Sequence, residues 1–450
     1  CMAIKSLRIF VSSPGDVAEE RLIARRVIGR LEAQFGDALH LEPLFWEHEP
    51  LLATASFQEQ IPRPSDTDIA IAILWSRIGT ALPGHIRRPD GSSYSSGTEF
   101  EFEDAVEGFR RNGKPELLVY RKTAPPAWPA DDELAAQRVG QKVALDQFIS
   151  KWFVDRESSA FVAAFHPFDS PADFEELLET HLTRIIERTL GSIGLARPAR
   201  KAWHQGTPFR GLETFDPEHA SIFFGRTAAI ASVLMKLRRQ AESGTAFVLI
   251  IGMSGGGKSS LARAGVLPLM LQPGVLGRAT EWRHAIFRPS DGHGDLALAL
   301  VNALTQPTAL PDFPGAEAAG HSDLRAALLD NPHAFAEFVV ARLQRDPNSD
   351  AESSSPTACV RHLALVVDQI EEIYSDERID QRQRERFVAA LNALARTGCI
   401  WIIATLRSDF YPRLMDLPVL VSLKAGDGQF DLLPPTMREM GQIIRLPAAA

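Results

Sequence analysis

Short apolar runs separated by amphipathic stretches organise this chain. Leu7-Arg8-Ile9-Phe10-Val11 predicts a strand. Ser13-Pro14-Gly15-Asp16 follows with Ser as an N-cap, Pro at the first helical position and an acid three residues after the cap, a helix-start pattern. Val17, Ala24, Val27, Ile28, Leu31 and Phe35 then mark one helical face at 3.6-residue spacing. A second strand is expected from Leu39 to Trp46. A third, Asp68 to Trp75, is apolar on both faces, as a central parallel strand should be. A helix from about Thr98 to Arg111 leads to a fourth strand, Glu116 to Tyr120. Another helix, a strand near Ala160 to Phe165 and a helix from Ser170 to Leu190 complete a unit spanning residues 6–190. Strands alternating with helices predict a doubly wound parallel sheet.

Residues 191–206 are polar, basic and broken by Pro and Gly, and read as a linker. A second α/β unit covers residues 207–450. Its apolar strands are Phe247 to Ile251, Leu363 to Val367 and Cys399 to Ala404. Polar insertions at 306–321 and 345–356 read as surface loops. The chain shows no internal repeat and no heptad run. The fold class is α/β, with two doubly wound parallel-sheet domains.

The strand Phe247 to Ile251 runs into Gly252-Met253-Ser254-Gly255-Gly256-Gly257-Lys258-Ser259-Ser260, a full G-x-x-x-x-G-K-[ST] pattern between strand and helix. Glycines let successive amide N–H groups turn toward one anion, and the following helix adds its positive end. Lys258 is expected to reach the β- and γ-phosphates of ATP, and the Ser259 hydroxyl to bind Mg²⁺. Leu363 to Val367 ends in Asp368-Gln369-Ile370-Glu371-Glu372. Asp368 stands where a Walker B aspartate belongs, holding Mg²⁺ through water. Glu371 or Glu372 could orient or deprotonate the attacking water, and the sequence does not choose between them. Arg407, after the third strand, is a candidate contact for the γ-phosphate, with a surface pair to Asp409 as the competing reading.

Composition changes this picture little. The net charge of −9 gives no general reason to expect nucleic acid as a partner. No stretch of about 18 uncharged apolar residues appears, so no membrane span is expected. Cys1, Cys359 and Cys399 lack metal-ligand spacing, and a reducing cytosol is the simplest home. Cys1 ahead of Met2 reads as a remnant of cloning, and the abrupt end at Ala450 leads us to expect a truncated protein.

Pro208-Phe209-Arg210-Gly211-Leu212-Glu213, Phe223-Phe224-Gly225-Arg226, the phosphate loop, the Asp-Gln-Ile-Glu-Glu run and Leu406-Arg407-Ser408-Asp409-Phe410 resemble, in order, the STAND class of signalling NTPases. The resemblance covers about residues 207–447. These proteins are relatives of NACHT and apoptotic ATPases, with a bacterial branch often joined to WD40 repeats. The resemblance implies ATP/ADP with Mg²⁺ and oligomerisation with further copies of the chain. It also implies a trigger sensed by a C-terminal region absent from this sequence. It places Phe224, Gly225 and Arg226 at the adenine pocket. Thr227 stands where many members carry an acid, which leaves that part of nucleotide recognition open.

The N-terminal unit resembles a TIR-like domain of unknown function found ahead of STAND and NACHT modules, and so implies a TIR/flavodoxin-like fold. The residues concerned are Arg8 to Ser13 with Asp16, Glu20 and Arg21, then Trp75 to Gly79, and Gly97 to Phe102. In an open parallel sheet ligands sit outside the strands' carboxyl ends, so Ser12, Ser13, Asp16, Ser76, Arg77 and the 98–101 helix start should share one crevice. A carboxylate there could capture an oxocarbenium-like centre. TIR enzymes split NAD⁺ with a helix glutamate, and deoxyribosyltransferases use one in a similar Gly-Thr-x-x-Glu setting, a spacing that selects Glu101. Glu101 as an ordinary helix acid is the competing reading. One of Phe100 and Phe102 should line the pocket. Trp46 and Trp75 are either base-stacking or core residues. An ATP-driven switch that clusters NAD⁺-cleaving domains in anti-phage immunity is one whole-chain expectation. A recruitment module without chemistry is the other.

Overall fold

The computed structural model describes residues 5–45, 62–126, 134–154, 164–192, 203, 206–272, 274–276, 281–310, 318–345 and 361–449. The chain divides into two compact units, residues 1–202 and 203–450.

The first unit holds a five-stranded parallel sheet in the order β2-β1-β3-β4-β5. The strands are β1 (Lys5–Ser12), β2 (Leu39–Leu44), β3 (Ile69–Leu74), β4 (Glu116–Lys122) and β5 (His166–Phe168). This is the doubly wound order of flavodoxin-like folds. The helices are α1 (Ala18–Phe35), α2 (Gly97–Asn112), α3 (Ala135–Phe153) and α4 (Pro171–Ser192). All six residues of β3 are buried, and its side chains alternate between two cores. Ile69, Ile71 and Ile73 meet α1 and α4, whereas Ala72 and Leu74 meet Phe102 of α2 and Phe148 of α3. The face expected for α1 is buried at Val17, Ala24, Val27, Ile28, Leu31 and Phe35.

Three local expectations need correction. Gly15–Val17 form a 3₁₀ turn with Pro14 at its cap position, and no side chain caps it. Ser13 instead accepts a hydrogen bond from Arg21 Nε at 2.7 Å, which draws it out of a capping geometry. The last strand is His166–Phe168, later than the expected 160–165 run; Pro167 breaks its apolar signal, and residues 160–163 lie outside the described residues. Strand β2 stops at Leu44, and Trp46 lies outside the described residues, as does most of the expected linker.

The second unit is a parallel sheet in the order β10-β6-β9-β8-β7. Its strands are β6 (Phe247–Gly252), β7 (Glu281–Phe287), β8 (Arg361–Val367), β9 (Ile400–Arg407) and β10 (Gln429–Asp431). The helices begin with α5 (Thr227–Glu242). The phosphate-loop helix α6 follows, with α-helical ends Lys258–Ser260 and Leu267–Met270 around a π-helical Leu261–Val266. Pro268 has no amide hydrogen for a regular bond back to Ala264, and this favours the wider π turn. Then come α7 (Leu296–Leu304), α8 (Ala318–Asp330), α9 (Pro332–Gln344), α10 (Gln381–Ala395), α11 (Pro418–Leu423) and α12 (Met437–Ala449). One face of β8 and β9, including Leu365 and Ile402, packs on α7 to α10. Among the described residues no helix is long and apolar enough to cross a membrane. Cys399 is disulfide-bonded, against the expectation of reduced cysteines.

Candidate functional site

The phosphate loop leaves β6 at Gly252 and turns into α6 through Gly255 (φ 71°) and Gly257 (φ 86°). Both lie in the left-handed region that only glycine adopts without strain, which fixes why the loop is glycine-rich. Ser254 and Gly255 are exposed and Gly256 is half-buried, with its N–H turned back to the Met253 carbonyl at 3.1 Å. Lys258 is buried, and its Nζ donates to the same carbonyl at 2.8 Å. Burial pushes the Lys258 ammonium below its ordinary pKa, with nearby Glu371 pulling the other way.

Asp368 directly follows β8 and is fully buried. Its Oδ1 accepts from Ser259 Oγ at 2.6 Å and from Thr405 Oγ1 at 2.8 Å. Its Oδ2 makes no hydrogen bond. Glu371 is also buried. Its Oε2 accepts from the Arg407 amide at 3.2 Å, and its Oε1 is left without a hydrogen bond. Desolvation raises the Glu371 pKa. Two carboxylate oxygens without a hydrogen bond, beside a serine hydroxyl and a lysine, are the donor set that a magnesium–phosphate group needs, so the residues fit that ligand. The geometry separates the two glutamates that sequence leaves equivalent. Glu372 points to the neighbouring turn, where its Oε2 accepts from the Ser290 amide at 3.0 Å. We expect Glu371→Gln to keep nucleotide affinity and to lower hydrolysis about a hundredfold, the usual size of a lost general base. A single-turnover assay checks this; unchanged hydrolysis would remove Glu371 from the chemistry.

Other predicted residues take different places. The Arg407 guanidinium is part-exposed and pairs with Asp409 at 2.6 Å, the competing geometry for this residue. Ser260 Oγ accepts from the Phe215 amide at 3.1 Å and ties α6 to the preceding segment. Phe224 is buried, and Arg226 donates to the carbonyls of Leu433 at 2.9 Å and Gly256 at 3.4 Å. Gly225 has φ 74°, and a Cβ there would lie 2.5 Å from the Glu439 carbonyl and from Ile443 of α12. Gly225→Ala should therefore cost about 1–3 kcal/mol. A lowered midpoint of thermal unfolding checks it, and an unchanged midpoint would contradict the close approach. Thr405 carries no role in the sequence reading. Its one signal is that the apolar run from Cys399 to Ala404 ends on a hydroxyl.

In the first unit the strand ends converge as the sheet dictates. Ser12, the last residue of β1, donates to Glu101 Oε2 at 2.5 Å, and both are buried. Asp16 Oδ2 accepts from the Ser76 amide and hydroxyl at 2.9 and 2.8 Å, while its Oδ1 is buried without a hydrogen bond. An ideal Cβ at Gly15 would be 4.0 Å from Arg77, whose Nη2 reaches Thr80 at 3.5 Å. Three other acids of α2 have partners of their own away from Glu101. Arg88 takes Glu99 and Glu103, Lys151 joins both, and Asp104 accepts from the Ser65 amide. Phe102 enters the core, and Phe100 lines a cleft with Tyr94 and Trp152 on the outer side of α2. Trp75 packs against the core, with its N–H on the Ala124 carbonyl and Lys122 4.3 Å above its ring. Ser13 is held by Arg21.

No characterised protein matches the sequence. Similar solved structures include the following three, each at low identity. The Aeropyrum pernix ORC1 protein in complex with DNA is 16% identical with a TM-score of 0.33, covering 52% of each chain. Drosophila ORC bound to AT-rich DNA and Cdc6 is 16% identical with a TM-score of 0.25, covering 47% of this chain and 60% of that one. Thermomonospora curvata EccC (ATPases 2 and 3) in complex with a signal sequence peptide is 14% identical with a TM-score of 0.23, covering 93% and 74%. The chain thus spans about half the length of the first and three fifths of the second. A family model described as Novel STAND NTPase 1 matches residues 208–450, the whole segment that carries Lys258, Ser259, Asp368 and Glu371. That segment is more than half of the sequence, and the chain belongs to the novel STAND NTPase 1 family.

Proposed function

We propose that the chain is an ATP-dependent signalling switch whose nucleotide state controls association with further copies and thereby an N-terminal TIR-like effector. The observation that carries the ATPase half is the Ser259–Asp368 contact at 2.6 Å with the unengaged Glu371 oxygen near Lys258. In this reading the loop amides and Lys258 bind the phosphate tail, Ser259 and Asp368 hold Mg²⁺, and Glu371 takes a proton from water. Mg²⁺ would supply neutralisation of the phosphate oxygens. A switch is built to hydrolyse slowly, so rapid steady turnover by the purified chain would count against this half.

For the first unit, the reading is cleavage of the N-glycosidic bond of NAD⁺ or a related nucleotide, with Glu101 facing the sugar carbon and Ser12 orienting its carboxylate. The buried Ser12–Glu101 pair at the sheet's carboxyl edge supports it. The same pair also suits a self-association module, in which Glu101 is a held structural acid. Incubating the oligomerised chain with NAD⁺ separates the two: nicotinamide release is expected, and its absence would leave the recruitment reading.

A further inference from the structure

Two arginines that the nucleotide reading leaves without a role converge on Asp368. Arg263 lies five residues after Lys258 on α6, and Arg288 directly follows β7. Their Nε atoms stand 3.3 and 3.6 Å from Asp368 Oδ2. Neither Nε makes a hydrogen bond, and neither does that oxygen. The contact is therefore held by charge, around a carboxylate that is itself fully buried.

Two guanidiniums already beside Asp368 Oδ2 oppose a divalent cation held at the same carboxylate, because like charges a few ångströms apart in a buried site repel strongly. One arginine has to leave when the cation arrives. Arg263 is the better anchored, since its Nη1 donates to Asp216 Oδ1 at 2.8 Å and only 15% of its side chain is exposed. Arg288 is 36% exposed, and Asp368 is its only ion-pair partner among the described residues. Its neighbour Ser290 is bonded through its amide to Glu372, so the turn that carries Arg288 is joined to the segment after Asp368.

We propose that Arg288 is a positioning residue that holds Asp368 in the metal-free state and is displaced from it by a divalent cation. Arg263 remains and links Asp368 to Asp216, in the segment ahead of Phe224-Gly225-Arg226. This inference rests on the magnesium–nucleotide reading of the same site, and it gives that site an internal competitor for its metal. The cation then enters only by breaking an existing ion pair.

The test uses the full chain and Mn²⁺ as the probe, with binding followed by electron paramagnetic resonance in the absence of nucleotide. Arg288→Gln should tighten Mn²⁺ binding about tenfold, a coupling of ordinary size between two competing ligands. Arg288→Lys keeps the charge and should stay near the wild-type affinity. Thermal unfolding in EDTA supplies a second readout: Arg288→Gln should melt lower than wild type there, with the difference closing as Mn²⁺ saturates. Wild-type Mn²⁺ affinity in Arg288→Gln, or an equal gain in Arg288→Lys, overturns the proposal. Binding of a fluorescent ATP analogue in EDTA is measured in parallel. It reports on the phosphate loop independently, so failure of the nucleotide reading is distinguishable from failure of the arginine exchange.

Discussion

Lys258→Ala is expected to weaken ATP binding about a hundredfold while leaving the fold intact. The reason is the chemistry of the loop. The Lys258 ammonium is a buried cation whose visible hydrogen bond goes to the Met253 carbonyl, a neutral acceptor within the same loop. A phosphate oxygen is a far better acceptor, and a hydrogen bond between charged partners contributes about 3 kcal/mol at the upper end, which is roughly a hundredfold in Kd. Alanine removes this interaction and leaves the amides of 252–259 to hold the phosphates alone. Because burial already lowers the Lys258 pKa, a neutral replacement costs the unliganded fold little. Titration with a fluorescent ATP analogue checks the affinity, and circular dichroism checks the fold. Undiminished affinity would refute the switch.

In the NAD⁺-cleaving reading proposed for the first unit, Glu101→Gln lowers nicotinamide release roughly 10²–10⁴-fold. Glutamine has the shape of glutamate, and its carbonyl oxygen can still accept from Ser12 Oγ, so the buried pair survives as a neutral hydrogen bond. What disappears is the negative charge that an oxocarbenium-like centre needs. The variant therefore separates chemistry from packing. If release persists in Glu101→Gln, the glutamate is structural. If release is lost but signalling output is kept, the domain acts by association and the cleavage is incidental.

The sequence displays the frame of both domains because parallel central strands are buried on both faces. Ile69–Leu74 and Phe247–Gly252 are continuous apolar runs for that reason. The phosphate loop is equally plain, since its glycines answer to φ values that other residues avoid. Two strands are obscured by their length, one shifted from its expected 160–165 run and one not expected. His166–Phe168 and Gln429–Asp431 have three residues each, one with a proline and one with two polar side chains, and pairing with neighbours makes them strands. The order of strands is also invisible, as it depends on which crossovers the helices make. At the site, Ser259, Asp368 and Glu371 follow from local pattern. Arg263 and Arg288 do not, because their link to Asp368 joins three separate elements and leaves no periodic trace. The choice between Glu371 and Glu372 needs the backbone after β8, where both acids lie on the 3₁₀ turn Ile370–Tyr374 and adjacent side chains point in different directions.

Strand β9 lies between β6, which carries the phosphate loop, and β8, which carries Asp368. Thr405 touches the Asp368 carboxylate through its hydroxyl and also receives the Gln369 amide at 2.7 Å. A strand presents alternate residues to opposite faces, so a shift of one position would carry Thr405 to the far side and bring a hydrocarbon against a buried carboxylate that then lacks one of its two hydroxyl donors. Sliding within the sheet is thereby blocked. Any mechanical stroke that accompanies hydrolysis has to be delivered by helices and turns pivoting around a stationary platform.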